Sequence, residues 1–450
     1  MNPSPDTTKS ARLFALPQTH ALRTLDRDGR ILFTTRAIRM FAYGGLAVVL
    51  ALYLAQIGLT GEQIGLLIAA TLIGDAVISL AIAAVADRLG RRRMLLLGTA
   101  LMVFAGVVFA FTNNIVLLVF AAVVGTISPS DKEVGAFLSI EQAILPQTAP
   151  DNHRTAIFAW YNLAGSFATA LGALASGGLV SLLQKSDLAL TPLDSYRWVV
   201  IGYTVLGVLL AIRFLALSPN VEVRATVPIA ESPAPERRNG FFGLHRSRDI
   251  VLRLSALFML DAFAGGLVVQ SLIAYWFNLR FGVDPVVLGA IFFGANILAG
   301  FSALLAARIA ARFGLINTMV WTHIPSNILL MLVPLMPTLP LAVIVLLARF
   351  SISQMDVPTR QSYTMAVVDP AERSAAAGVT SIARTAGSAF APSITGALLG
   401  MSLLGAPFIL SGALKIIYDL LLYRSFRSLK PAEEKEKEVA QPNAHGAHTP

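Results

Sequence analysis

The 450-residue sequence contains no cysteine, so neither a disulfide nor a thiolate metal site is available to it. Histidine is scarce as well: there are six, and only His323 falls inside an apolar stretch, which excludes a multi-histidine metal centre within the spans. Charge is the third shortage. Charged residues make up 14% of the chain against 55% hydrophobic, where a soluble domain carries roughly 25% charged residues. Water is therefore not the solvent for most of this chain. The dipeptide Gly-Lys does not occur, which excludes a phosphate-binding P-loop, and Asp-Lys-Thr-Gly, the sequence of a phosphorylated-aspartate pump, is absent too. No cofactor is expected. Residues 1–30 hold no apolar run of signal-peptide length, so the first apolar stretch is expected to act as its own insertion signal.

What the chain has in quantity is long apolar runs. A bilayer core about 30 Å thick needs roughly 20 apolar residues per helix. Such stretches lie at about 32–57, 62–86, 94–112, 115–144, 156–183 and 197–217, then at 252–279, 285–311, 317–336, 339–367, 375–399 and 403–423. Strands of a membrane barrel alternate apolar and polar residues over about ten positions, and these runs are too long and continuous for that. The chain reads as an all-α membrane protein of twelve transmembrane helices. The most polar interruption, 218–251, divides them six and six, giving a tail at 1–31, a first bundle at 32–217, a linker at 218–251, a second bundle at 252–424 and a charged tail at 425–450.

Lys and Arg collect on one side of this topology. With the N-terminus inside, the inner loops and tails hold Arg23, Arg27, Arg30, the Arg88–Arg93 cluster, Arg154, Arg224, Arg237, Arg238, Arg246, Arg248, Arg312, Arg373 and Arg424, among others. The outside keeps Lys185, Arg280 and, at a helix edge, Arg197. Both termini are expected in the cytoplasm, in a bacterial inner membrane. Topology accounts for the net charge of +9, so nucleic acid is not needed as a partner.

The two halves repeat each other. "ADRLG" at 86–90 matches "AARFG" at 310–314, an offset of 224 that also carries Gly58 onto Gly282 and Gly65 onto Gly289. Later, "RTAIFAW" from Arg154 matches "RSAAAGV" from Arg373 at an offset of 219, and "FAYGGLAVV" resembles "AFAGGLVVQ". Six-helix repeats around a central axis are a transporter architecture, with the substrate site between the halves.

"ADRLGRRR" resembles the loop 2–3 signature of the major facilitator superfamily, through Asp87, Arg88, Gly90, Arg91 and Arg92; Ala83 stands where that signature usually has glycine. The resemblance covers roughly residues 32–424. It implies two pseudo-symmetric six-helix bundles, with helices 1, 4, 7 and 10 lining a central cavity. Gly90 supplies the backbone freedom of the turn, and the arginines anchor it on the cytoplasmic side. Asp87 sits at a helix C-terminus, where the dipole disfavours an anion, and the resemblance implies that it seeks the N-terminus of helix 11 near residues 374–377. These residues form the expected cytoplasmic gate.

Ionisable residues inside spans are costly and by default functional. Helix 10 carries Arg349, Asp356 and Arg360, which a continuous helix places within about 20° of Arg349 on one face. Pro358 is expected to bend the helix beside Asp356. Helix 4 supplies Glu133 and Glu141, and the offset of 219 sets Glu141 opposite Arg360, an expected pair across the axis. The resemblance also implies a competing partner for Glu141 in Arg91 or Arg92 at the cytoplasmic end of helix 2. Arg36 and Arg39 on helix 1 face Asp261 on helix 7 as the remaining candidates. Asp356 is the first candidate for a proton-linked acid and Glu133 the second, while Asp75, Arg384, Lys415 and Asp419 are read as structural. The expected function is a monomeric, proton-coupled secondary transporter of a small organic solute working by alternating access, with export as one direction; it is not an enzyme. An organic-anion exchanger or uptake transporter without proton coupling, and a non-transporting sensor or scaffold, are the alternatives.

Overall fold

A computed structural model describes residues 20–130, 136–148, 154–186, 190–222, 245–369 and 372–429. Among them there is no strand. Span 1 is Arg27–Gln56, span 2 Gly61–Leu89, span 3 Arg91–Phe111, span 5 Arg154–Lys185 and span 6 Pro192–Leu215. Span 8 is Pro285–Phe313, span 9 Leu315–Leu332, span 11 Arg373–Gly400 and span 12 Ala406–Phe426. The other three are interrupted: span 4 consists of Ile115–Val124 and Ala136–Ile144, span 7 of Arg248–Gly266 and Gln270–Phe281, span 10 of Leu339–Phe350 and Asp356–Val367. Phe111, Val116, Leu182 and Trp321 stand exposed on the outer surface, as a lipid-facing belt requires.

The expectation of continuous helices 4, 7 and 10 is corrected by these breaks. In span 10 the sequence "SISQM" supplies polar groups that compete for backbone partners: Ser351 Oγ donates to the Ala348 carbonyl at 2.7 Å, and the Gln354 N–H donates to Ser302 Oγ at 3.3 Å. Pro358 does not bend a helix as expected, because it lies in the first turn of the new segment, where an N–H has no intrahelical partner to lose. The first segment of span 4 ends at Gly125, ahead of Pro129. There the two halves meet: the Ser271 N–H and Oγ both donate to the Pro129 carbonyl, at 3.2 and 2.6 Å. Interrupted helices at membrane depth persist where protein or a cavity surrounds them.

The glycines with positive φ are Gly58 (102°), Gly90 (102°), Gly282 (64°) and Gly314 (84°). They are the two pairs related by the repeat offset, so the turns opening spans 2, 3, 8 and 9 use one backbone solution twice. At the other junction, Glu372 before span 11 holds the entry to span 7. Its carboxylate accepts the N–H groups of His245, Arg246 and Ser247, each at 2.9 Å. Burial pushes this carboxyl up, but the backbone donors of Ser247, Arg246 and His245 outweigh it and hold the group down to about 2.

Candidate functional site

One end of the bundle is closed by backbone-to-backbone packing. A Cβ at Gly65 would lie 2.4 Å from the Pro392 carbonyl oxygen and 2.7 Å from Gly396 Cα, joining spans 2 and 11. A Cβ at Gly289 would lie 2.6 Å from the Ala173 carbonyl oxygen and 3.3 Å from Gly177 Cα, joining spans 8 and 5. Gly65 and Gly289 are repeat mates, and the offset of 219 carries Gly177 onto Gly396 and Ala173 onto Pro392. The seal is one small-residue contact made twice. At the other end, where Gly90 and Gly314 turn the chain, spans 2 and 11 expose small residues instead of packing them together. Ala83, Ala84 and Val85 are all exposed, and three consecutive helix positions cover about 200° of the circumference. On span 11, Ala377 and Gly378 are exposed, and a Cβ at Gly378 would meet nothing within 4 Å.

Between these ends lie two buried charge clusters. In the first half, Arg39 grips Glu141 with two bonds, Nη1 to Oε1 at 2.9 Å and Nη2 to Oε2 at 2.6 Å. Both side chains are fully buried, and Tyr161 O–H donates to the same carboxylate. Arg36 donates to Asn162 at 3.3 Å and stacks 4.2 Å above the Tyr161 ring. Spans 1, 4 and 5 therefore hold this cluster together.

The second cluster centres on Asp261 of span 7. Its Oδ1 accepts from Lys415 Nζ at 2.5 Å, and its Oδ2 from Arg360 at 3.2 Å and Arg384 at 3.1 Å. Arg360 also donates to Asp356 Oδ2 at 2.8 Å. Adjacent to this, Asp419 lies 2.9 Å from His323 Nδ1 and accepts from Asn327 Nδ2 at 3.3 Å. Buried charges in such numbers persist only when paired, and each carboxylate here has a cationic or hydrogen-bonding partner.

Several expectations are corrected by this geometry. Glu141 does not meet Arg360, because Arg39 takes its carboxylate and two aspartates take Arg360. Asp261 faces Arg360, Arg384 and Lys415 in its own half instead of Arg39. Arg349, Asp356 and Arg360 do not share one helical face, since residues 351–355 interrupt the helix and reset its phase; Arg349 stacks 5.0 Å from the Phe350 ring. Arg384 and Lys415, read as structural, belong to the Asp261 cluster, and Asp419 stands beside it. They carry the same signal, charge inside an apolar span, but lie on spans 11 and 12, outside the four helices expected to line the cavity. Glu133 lies outside the described residues.

At the loop after span 2, Asp87 Oδ1 accepts from Arg91 Nε at 2.8 Å and stays 67% exposed; among the described residues this partner is Arg91 and not the start of span 11. Glu222, which sequence reading missed, occupies the N-terminus of span 3, accepting the Arg91 N–H at 2.6 Å and the Arg92 N–H at 3.2 Å. That is where a helix dipole favours a carboxylate. Arg92 Nη2 donates to the Leu215 carbonyl at 2.5 Å, and Arg88 is exposed in the last turn of span 2.

The sequence model of the Major Facilitator Superfamily matches residues 32–392 and, in a second match, 254–448. The chain belongs to the major facilitator superfamily. This is a family of membrane transporters and not of enzymes, and it bears out the resemblance carried by the 86–93 loop. The uncharacterized membrane protein YJR124C of Saccharomyces cerevisiae is 31% identical over 431 residues, covering 91% of this chain and 96% of that protein. Among solved structures, a bacterial homologue of the human lysosomal transporter Spinster, inward-facing and occupied, superposes with a TM-score of 0.67 at 16% identity, covering 89% of this chain and 96% of that one. The inward-open xylose transporter XylE from E. coli gives a TM-score of 0.66 at 16% identity over 91% and 99% of the two chains. These likenesses show the fold. With a relative in yeast, they carry an integral membrane location and not the expected bacterial inner membrane.

Proposed function

We propose that this major facilitator superfamily transporter carries a small organic solute by alternating access, with protons as the coupling ion, and works as a monomer. The observation that supports this reading best is the one-sided closure: glycine contacts related by the repeat seal one end, while at the other Ala83–Val85 of span 2 and Ala377 and Gly378 of span 11 are exposed. A scaffold has no need of a seal that can be made at either end. The buried Asp356–Arg360–Asp261 chain supplies carboxylates beside two helix breaks, where a solute that engages a guanidinium would release a carboxylate to take a proton. Arg39, Glu141 and Arg349 complete the proposed pathway. Asp87, Arg88, Gly90, Arg91 and Arg92 form the gate that closes when the opposite end opens, with Asp87 then meeting the start of span 11.

The test begins with a thermal-shift screen of purified protein against metabolites and drugs at two pH values. The strongest stabiliser is then offered to proteoliposomes under an imposed pH gradient. Wild-type protein accumulates the compound, and Asp356→Asn keeps its fold but loses at least about tenfold of the gradient-driven rate, a typical general acid–base contribution being 10²–10⁴. Exchange that ignores the gradient would replace this reading by the anion-exchanger one.

We place both termini and the 218–251 linker in the cytoplasm, on the Lys/Arg bias, which makes the sealed end the outer one. In this cysteine-free chain, an impermeant thiol reagent should label Ser186→Cys from outside intact cells and leave Ser232→Cys untouched. The reverse pattern inverts the topology.

A further inference from the structure

We propose that the His323–Asp419 pair between spans 9 and 12 is a second proton-holding site beside the Asp356–Arg360–Asp261 chain, and that it makes the second half a receptor for a solute anion and a proton together. The inference rests on the proton-coupled reading above and adds a resting place for the proton next to the carboxylate that the solute releases.

The argument starts from what the other acids are doing. Asp261 has three cationic partners and Asp356 has Arg360, so each is already neutralised at close range. Glu141 is likewise taken by Arg39. Asp419 differs: its hydrogen-bond partners among the described residues are an imidazole and an amide. His323 Nδ1 lies 2.9 Å from one carboxylate oxygen and 3.1 Å from the other, so the neutral ring donates its Nδ1–H and keeps the Nε2 lone pair as its basic atom. A proton arriving at Nε2 forms one N–H bond and breaks none in the protein. It converts a neutral–anion hydrogen bond into an ion pair, which is the stronger kind.

The charged and titratable groups facing His323 come from every span packed around it: Asp261 of span 7, Asp356 and Arg360 of span 10, and Lys415, Tyr418 and Asp419 of span 12, with Arg384 of span 11 behind Asp261. The field of the imidazole reaches Asp261, Asp356 and Asp419, and its ring packs edge-on against Tyr418 at 6.1 Å. With a neutral imidazole the three carboxylates balance the three cations Arg360, Arg384 and Lys415. A proton at Nε2 leaves one positive charge in excess inside the membrane, which a bound monoanion cancels. Proton and anion then favour each other by reciprocal linkage, and neither crosses alone at low cost. Span 9 also holds Ser326 Oγ and Asn327 Oδ1 buried without a hydrogen-bond partner among the described residues, polar atoms one helical turn from His323.

The test reads the proton itself and needs no solute. Ring-¹⁵N histidine spectra of the full chain in lipid nanodiscs are recorded from pH 5 to 9, with the His323 signals identified by their loss in His323→Gln; the other five histidines lie outside the spans. The expected result is an Nδ1–H neutral ring at high pH that becomes doubly protonated at low pH. Asp419→Asn should then cut the imidazolium fraction at a fixed acidic pH by at least about threefold, since the opposite charge is gone. A ring that stays neutral throughout, or an imidazolium fraction that ignores Asp419→Asn, overturns the assignment. The transport experiment separates the two claims: gradient-driven uptake with a silent His323 sinks this inference alone, whereas a titrating His323 without gradient-driven uptake sinks the proton-coupled reading.

Discussion

Gly65→Val should abolish the sealed state and with it at least nine-tenths of transport. A Cβ at this position already comes within 2.4 Å of the Pro392 carbonyl oxygen, and that neighbour is backbone, as is Gly396 Cα at 2.7 Å. Neither can rotate away, so spans 2 and 11 must separate. Overpacking of this kind costs about 1–3 kcal/mol, enough to shift a two-state balance roughly 5- to 150-fold. Gly289→Val should do the same through the Ala173 carbonyl of span 5, because the two glycines make repeat-related contacts. Spin labels on Glu62→Cys and Met401→Cys, both exposed beside the seal, report the separation directly. Wild-type protein gives a short-distance population that both valine variants lose. Gly378→Val, at a helix position with nothing within 4 Å, leaves it in place. A short-distance population unchanged by Gly65→Val would mean that this contact is not the seal.

Asp261→Asn carries the largest expected penalty in stability. Lys415, Arg360 and Arg384 converge on this one carboxylate, and removing its charge leaves buried cations facing one another. Breaking a buried ion pair by deleting one partner costs about 3–5 kcal/mol. The variant should melt several degrees below wild type and accumulate poorly in the membrane. Asp356→Asn should be milder, since Arg360 keeps Asp261. The decisive comparison is the double variant Asp261→Asn with Lys415→Met, which removes a cation along with the anion and should recover a substantial part of the lost melting temperature. Equal melting temperatures for Asp261→Asn and wild type would show that the cluster carries no stability.

The membrane class, the twelve spans, the repeat of six helices and the family follow from the amino-acid order alone. Length and apolarity are properties of a segment alone, and a repeat is visible in any chain that carries two copies. The special glycines follow from it too: a turn that needs positive φ at Gly90 needs it at Gly314, whatever packs around them. The tertiary structure decided the partners. Helical periodicity states which residues share a face only while the helix continues, so the break at 351–355 was enough to part Arg349 from Asp356 and Arg360. Periodicity says nothing of how neighbouring helices rotate against one another. That rotation, set by side-chain packing and by close approaches such as Gly44 against the Thr169 carbonyl, gave Glu141 to Arg39 and brought Lys415 and Arg384 to Asp261, leaving His323 facing Asp419. Electrostatics requires that a buried charge find a partner; only the packing of whole helices selects which one.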